Sequence, residues 1–589
     1  MRFKVSLAQI NPKTGDIRGN SRKIVATIRT ARERGADLVV LPEMCLTGYC
    51  LDEKLLINLE FLRANQRCLI EEILPACRDI SAIVGFIDFD DAKLGPDGRV
   101  VRHNAAAVLS HGRLLQVVRK RLLPAYRYFD DKRYFVPGEE VEPVTIPAGQ
   151  GSVPIGVLIC EDLWDESYAL KPCALYREKG ARYLFCINAS PFVGSNPGSR
   201  DGKRFIRDSV IRKQIRHHAL PVIYVNTVGV GDNGKNIIPF DGFSVAYDRS
   251  GQLVSALPQF RESQEEVVFE DGVSTPVPVP PFSREDEIYQ ALVMSVRDYY
   301  DKIGIFTGVL EAISGGIDSA LGAAIAYEAM GRDLLSVYSL PSRYNSATTL
   351  GAARKLARNF ELDYHEVPIQ KMVDTITEAF EEHLHPMNLS VTLENLQARV
   401  RGLIMMAESN DRRALLLTNG NQTEIALGYA TLYGDMVGGL SVIGDLSKPD
   451  VYALARHVNR RWGRTMIPEE IFSIAPSAEL KEDQEDPFDY DVVGPLVNDL
   501  VERGSSPSEL NIRFRRQELD PARYPTQEGG IYERYGEPEF SRLSGRIYRS
   551  LNSSVYKRLQ GAPIVVVSAR AFGFDLRETI INGWRGGNG

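Results

Sequence analysis

One stretch of this chain, residues 272–283, reads GVSTPVPVPPFS. Its prolines remove backbone donors and hold φ near the polyproline value, so the stretch fits neither a helix interior nor a central strand. It therefore divides the chain. At 589 residues the chain is too long for one hydrophobic core. Two domains are expected, over 1–271 and 285–589, joined by a proline-rich linker at 272–284. A hydrophobic content of 44% and a charged content of 25% leave ample material for both cores.

Before the linker, short apolar runs recur at Lys4–Ile10, Asp37–Leu41, Ala82–Ile87, Asn104–Leu109, Val153–Cys160, Tyr183–Asn188, Val222–Asn226 and Phe243–Tyr247. Helix-like stretches such as Ser21–Arg34 and Phe205–His218 lie between them. This predicts a mixed α/β domain rich in sheet. After the linker the rhythm becomes strand, helix, strand. Gly308–Ile313 and Leu334–Leu340 read as strands, and Ser319–Met330 and Ala347–Asn359 as helices. Tyr364–Val367 and Ala414–Thr418 read as further strands. That alternation predicts a parallel, doubly wound sheet with ligands at the carboxyl ends of its strands.

A net charge of −7 argues against a nucleic acid or an anionic membrane as the main partner. The opening MRFKVSLAQINP alternates like a strand rather than forming an apolar leader, and no long apolar run suggests a membrane helix. A cytoplasmic protein is expected. The seven cysteines are Cys45, Cys50, Cys68, Cys77, Cys160, Cys173 and Cys186. No CxxC pair occurs, so a zinc site is not expected, and most of the seven read as buried reduced thiols.

The strongest motif is Ser314-Gly315-Gly316-Ile317-Asp318-Ser319, placed between a strand and a helix. Glycines let the backbone approach phosphate oxygens, and a helix N-terminus offers free N–H groups. Asp318 is suited to a magnesium ion that bridges phosphates. No GK[ST] follows, so this is not the Walker pattern. The string resembles the pyrophosphate loop of enzymes that split ATP into AMP and pyrophosphate.

Downstream, Glu394–Gly402, Leu417–Glu424, Gly428–Asp435 and Gly444–Lys448 resemble, in order, the motifs of the NAD synthetase family over most of 285–480. The resemblance implies ATP contacts by the loop, Asn419 and Lys448. It implies deamido-NAD contacts by Asn395, Glu424 and Lys557, the last in Tyr556-Lys557-Arg558. Asp318 and Glu424 would hold Mg2+. The chain departs from the family at Asn419, usually threonine, and at Gln422-Thr423, usually Lys-Ser. Residues beyond about 480 match poorly. Glu311, a carboxylate inside an expected buried strand, has no role assigned by the resemblance.

Cys160 closes one apolar run, and alone it would read as a core cysteine. Glu43 follows a second run, in LPEMCLTGY, and Lys120 follows a third, in RKRLLP. An ordered Glu, Lys, Cys set of this kind resembles the nitrilase superfamily of amidases, and in particular its glutamine-using branch attached to NAD synthetases. The likeness covers residues 1 to about 265. It implies Glu43 as general base, Cys160 as nucleophile and Lys120 as the oxyanion's partner. It also implies glutamine contacts by Tyr126, Ser190 and Lys203. The segment between Phe192 and Gly202 is longer than usual, and Asp131 stands where the family has a glutamate one methylene longer.

The implied fold is an N-terminal nitrilase-like α-β-β-α sandwich followed by a C-terminal doubly wound parallel sheet. The latter is Rossmann-like and similar to adenine nucleotide alpha hydrolases. The implied reaction is glutamine-dependent amidation of deamido-NAD with ATP, with ammonia passing between the halves through a channel. The resemblance further implies a homo-oligomer, commonly an octamer. Two other readings stay open on sequence alone. One is the same chemistry on another carboxylate, since related loops serve other amidations. The other is an inactive nucleotide-sensing scaffold.

Overall fold

The structure is a computed structural model and describes residues 1–49, 52–95, 98–387, 389–481, 484 and 486–581. Cys50 lies outside the described residues. The chain forms two compact units. The first comprises Met1–Val193, Arg200–Asn233 and Ile238–Phe282. The second comprises Gly194–Ser199, Gly234–Ile237 and Ser283–Gly589.

The first unit holds two six-stranded sheets. One runs Ser263–Glu270, Arg2–Gln9, Leu38–Val40, Ser81–Leu94, Val100–Ser110, Arg113–Arg119 from edge to edge. The other runs Leu253–Ala256, Val245–Tyr247, Val222–Asn226, Tyr183–Asn188, Gly151–Ile159, Val144–Ala148. The central pairs of each are parallel and the outer ones antiparallel.

Side chains alternate between two apolar environments, which is why several strands read as unbroken hydrophobic runs. Leu38 and Val40 point into a core shared with Ile155, Val157 and Phe185 of the other sheet. Val39 and Leu41 point the opposite way, onto Ile24 and Ile28 of the helix Ile17–Glu33. On the far side, Leu158 and Leu184 meet Ile211 and Ile215 of the helix Lys203–His218. The layers are therefore helix, sheet, sheet, helix.

Several element ends differ from the sequence expectation, and at two of them the backbone supplies the reason. The strand expected from Phe243 starts at Val245, because Phe243 takes φ 49°. The run Val153–Cys160 stops at Ile159, because Cys160 takes φ 46°. The proline-rich stretch has no regular structure over 274–283. Arg204 donates to the carbonyls of Pro280 and Pro281, and Phe205 meets Phe282 edge-on. These carbonyls have no ladder partner, so a guanidinium serves them instead.

In the second unit, six parallel strands run in the order Asp363–Glu366, Leu335–Ser339, Val309–Ala312, Leu415–Thr418, Leu440–Ser441, Ile564–Val565. Numbered along the chain, that is 3-2-1-4-5-6, the doubly wound order whose direction reverses between strands 1 and 4. A crevice opens outside the carboxyl ends at such a reversal. The two strands concerned lead directly into Ser314–Ser319 and Asn419–Glu424.

The alanine-rich helix Ile317–Met330 is buried almost throughout. Its small side chains let it lie between the sheet and the helix Arg284–Ile303, which Ser283 caps by accepting from the Asp286 N–H. Asn236 and Ile237 join this sheet by pairing in parallel with Ile564 and Val565. That pairing is why a tetrapeptide from the middle of the chain belongs to the second unit. Among the described residues, no helix is long and apolar enough to cross a membrane.

One glycine tests the first unit's packing. A Cβ at Gly85 would lie 2.3 Å from both the Met44 nitrogen and the Pro42 carbonyl oxygen, in the turn that carries Glu43. Backbone cannot swing aside as a side-chain tip does. Gly85→Ala should destabilise this unit by about 1–3 kcal/mol, the usual cost of overpacking. Urea denaturation followed by tryptophan fluorescence measures it, and unchanged stability would refute the close approach.

Two candidate active sites

Glu43, Lys120 and Cys160 each sit just beyond the end of a different strand, and the structure brings them together. Lys120 Nζ lies 2.7 Å from Glu43 Oε1 and 2.7 Å from Asp131 Oδ2. All three side chains are essentially inaccessible to solvent. Asn104 donates to Glu43 Oε1 and the Ala189 N–H to Glu43 Oε2, each at 2.7 Å. Tyr49 donates its phenolic proton to Asp131 Oδ1 at 2.6 Å. Asp131 thus reaches the lysine despite its short side chain, because it starts a helical turn, Asp131–Tyr134, packed against that lysine.

The electrostatics follow from burial. Burial raises the Glu43 carboxyl, Lys120 opposes that rise, and Asp131 adds to it. Burial alone would lower the Lys120 ammonium, but Asp131 and Glu43 more than reverse this and hold it charged. Burial and Glu43 push the Cys160 thiol well up, while Lys120 and Lys203 pull it down. The site therefore sets a thiol that burial disfavours ionising beside a carboxyl whose rise the Lys120 ammonium opposes. Cys160 also occupies a left-handed backbone conformation that costs a non-glycine residue about 1 kcal/mol or more. The fold must hold that elbow in place.

Tyr126 and Lys203 lie close enough to this thiol to act on it electrostatically. Tyr126 is 46% exposed and donates to Glu161 Oε2 at 2.8 Å. Tyr168 donates to Glu161 Oε1 at 2.9 Å, so both oxygens of the carboxylate next to Cys160 are held. Lys203 opens the helix Lys203–His218 and sits 4.1 Å from the centre of the Trp164 ring. Burial, then Arg207, lowers its ammonium to about 8. Ser190 is buried, and its hydroxyl accepts from Arg207 Nε at 3.3 Å. Arg207 also donates to both oxygens of Asp241 at 2.8 and 2.9 Å.

Sequence reading missed Asn104, Glu161, Arg207 and Asp241. Asn104 had a signal, an amide opening an apolar run. Glu161 had one too, through its adjacency to Cys160. Arg207 and Asp241 are far apart in the chain and had none.

In the second unit a cavity of about 320 Å³ opens at the strand-order reversal. Ser314, Gly316, Ile317, Asp318, Ser319, Asn419, Glu424 and Lys448 line it. Gly315 instead turns toward Thr349. It has φ 87°, and a Cβ there would lie 2.1 Å from the Thr349 carbonyl oxygen. The Ser314 and Ser319 hydroxyls lie 3.3 Å apart, and Gly316 N donates to Ser314 Oγ.

Asp318 accepts from Asn421 and from Lys448, whose ammonium also lies 3.9 Å from Glu424. Burial, then Asp318, raises Glu424 to about 8, and Lys448 offsets part of this. Asn421 caps the helix Gln422–Leu427 and accepts from the Glu424 N–H, which fixes where that carboxylate starts. Asn395 and Lys557 do not line the cavity. Asn395 accepts from the Thr431 hydroxyl, and Lys557 donates to the carbonyls of Gly428 and Ala430. Both brace the Gly428–Asp435 loop, part of which does line it.

The chain matches two family models: carbon-nitrogen hydrolase over residues 4–274 and NAD synthase over 288–521. It is 34% identical to the glutamine-dependent NAD(+) synthetase of Thermotoga maritima, with 99% of each chain covered. It is also 34% identical to that of Synechocystis sp., over 99% of this chain and 98% of the other. A solved glutamine-dependent NAD+ synthetase from Acinetobacter baumannii, in complex with ADP, superposes with a TM-score of 0.72 at 29% identity, each chain fully covered. The chain belongs to the glutamine-dependent NAD(+) synthetase family, and it is an ATP-dependent ligase.

The buried cluster makes a prediction about stability. Removing Lys120 leaves Glu43 and Asp131 in the interior without a cation. Lys120→Met should therefore cost roughly 3–5 kcal/mol at neutral pH, and less in acid, where the Glu43 carboxyl takes up a proton. Chemical denaturation at two pH values measures this. A variant as stable as the parent at neutral pH would show that no such ion cluster exists.

Proposed function

We propose that the chain makes NAD+ from deamido-NAD, ATP and glutamine, with Cys160 as the glutaminase nucleophile. The observation that carries the reading is the buried Glu43–Lys120–Asp131 cluster beside a thiol at a strand's end. Glu43 takes the thiol proton as sulfur attacks the glutamine carboxamide carbon. Lys120 faces the oxygen on which negative charge develops, a role worth about 3 kcal/mol for a well-placed donor. The C–N bond then breaks, and Glu43 returns the proton to the departing ammonia. Water, deprotonated by Glu43, cleaves the thioester to glutamate. Glu161, held by Tyr126 and Tyr168, supplies an acceptor for the substrate's ammonium. Lys203 supplies a cation for its carboxylate, and the Ser190 segment completes the pocket.

In the second unit, the Ser314–Ser319 loop, Asn419 and Lys448 bind ATP. The nicotinate carboxylate of deamido-NAD attacks the α-phosphorus and pyrophosphate leaves. Ammonia attacks the resulting mixed anhydride, and AMP leaves as NAD+ forms. Asn395, Glu424 and Lys557 serve the deamido-NAD side, Asn395 and Lys557 through the Gly428–Asp435 loop. Mg2+ suits this site, because it takes one or two carboxylates together with phosphate oxygens, and Asp318 and Glu424 face one another across Lys448. When bound it supplies neutralisation of phosphate charge. Ammonia is protonated and inert in neutral water, so we further propose that it passes between the sites inside the protein.

Two outcomes test this reading. Cys160→Ala should lose glutamine-driven NAD+ formation by at least about a thousandfold yet keep synthesis from ammonium salts. Loss of both activities would count against separable sites. Lys203 must be charged to hold a carboxylate, and its free-enzyme value is about 8. The kcat/KM for glutamine should therefore fall as pH rises past about 8. Lys203→Arg should carry that falling limb to higher pH. A limb left in place by the arginine variant would assign it to another group.

A further inference from the structure

Glu311 lies on the strand Val309–Ala312, is fully buried, and has no place in the reaction above. Among the described residues, neither of its carboxyl oxygens has a hydrogen-bond partner, and no charged group acts on it. The polar group that does face it is the Asn419 amide. Asn419 Nδ2 donates to the Ala312 carbonyl at 3.3 Å, which turns its Oδ1 the other way, and that oxygen has no donor either.

Gly322 locates the two oxygens. A Cβ there would lie 2.3 Å from Asn419 Oδ1 and 2.3 Å from Glu311 Oε1, so both border one small space. Glycine is a poor choice inside a helix, and here it leaves that space open. Two buried acceptors facing each other with no donor between them is a costly arrangement, unless one of them carries a proton. An amide oxygen does not, but a carboxylic acid does.

We propose that Glu311 is a neutral carboxylic acid that donates its proton to Asn419 Oδ1 and so fixes the Asn419 amide as a nucleotide contact. Burial favours the uncharged form of Glu311 strongly. With its oxygen held by Glu311 and one amide hydrogen held by Ala312, Asn419 keeps its second amide hydrogen for an acceptor in the cavity it lines. Glu311 is then a positioning residue, acting on ATP through Asn419. The inference rests on the reading of this cavity as the ATP site.

The test uses the full chain and two variants. Glu311→Gln keeps a donor of nearly the same shape, and Glu311→Leu removes it while leaving an apolar side chain suited to a buried strand. With ammonium as the nitrogen source, the KM for ATP should rise about tenfold in Glu311→Leu and stay within about twofold in Glu311→Gln. Glutamine hydrolysis should not change in either. The leucine variant should melt no earlier than the parent, because an apolar group replaces an awkward polar one. Infrared difference spectra of parent against Glu311→Gln should lose a protonated carboxylic C=O stretch.

An ionised carboxylate signature at that position would overturn the proposal. So would a leucine variant with the parent's KM for ATP, or a glutamine variant as impaired as the leucine one. A parent enzyme that forms no AMP from ATP would overturn the ATP-site reading, and the proposal with it. The infrared band would still report whether Glu311 is protonated, so the two failures are distinguishable.

Discussion

The first unit depends on one buried cation. Lys120 holds two carboxylates where no water reaches, and each partner satisfies a requirement of the other. Without the lysine, Glu43 and Asp131 would repel one another with no cation between them. Without the carboxylates, the lysine would have to lose its charge or leave the interior. The cluster is therefore all-or-none, and it ties the ends of several strands to one point. Asn104 from a neighbouring strand and the Ala189 N–H from the other sheet complete the Glu43 coordination. The same interaction opposes the rise that burial imposes on the Glu43 carboxyl, beside a thiol that burial also pushes up, so stability and reactivity share a cause.

The second unit solves a similar problem less completely. Asp318 and Glu424 share Lys448, and burial, then repulsion from Asp318, raises the Glu424 carboxyl. Both sites lie where strands end. There the ladder no longer consumes backbone donors, and side chains from distant sequence positions converge on a crevice.

Much of the architecture was legible from residue patterns. Unbroken runs such as Tyr183–Asn188 and Val222–Asn226 became strands at those bounds, because both faces of each sheet are covered. The candidate site was legible for a different reason: Glu43 and Lys120 each follow an apolar run with a charge that an interior does not accept without a partner, whereas Cys160 stood out only through its resemblance to a known motif. Asp131 was legible only as a departure from a pattern. Its contact with Lys120 needed the short helical turn to be seen in place. Asn395 and Lys557 were legible as motif residues, but their support of the Gly428–Asp435 loop was not.

The sequence by itself determined many of the strands and helices and that more than one core was needed, and it singled out candidate side chains for unusual chemistry. Those follow from local propensity and from the periodicity with which a chain hides apolar groups. Only the tertiary structure decided which charges would meet. It put Arg207 on Asp241 and Ser190, set Glu311 against Asn419, and paired Asn236–Ile237 with Ile564–Val565 across more than half the chain. Such contacts leave no periodic trace, because a partner's identity depends on the distance in space at which a buried charge or unpaired acceptor finds relief, and separation along the chain does not encode it.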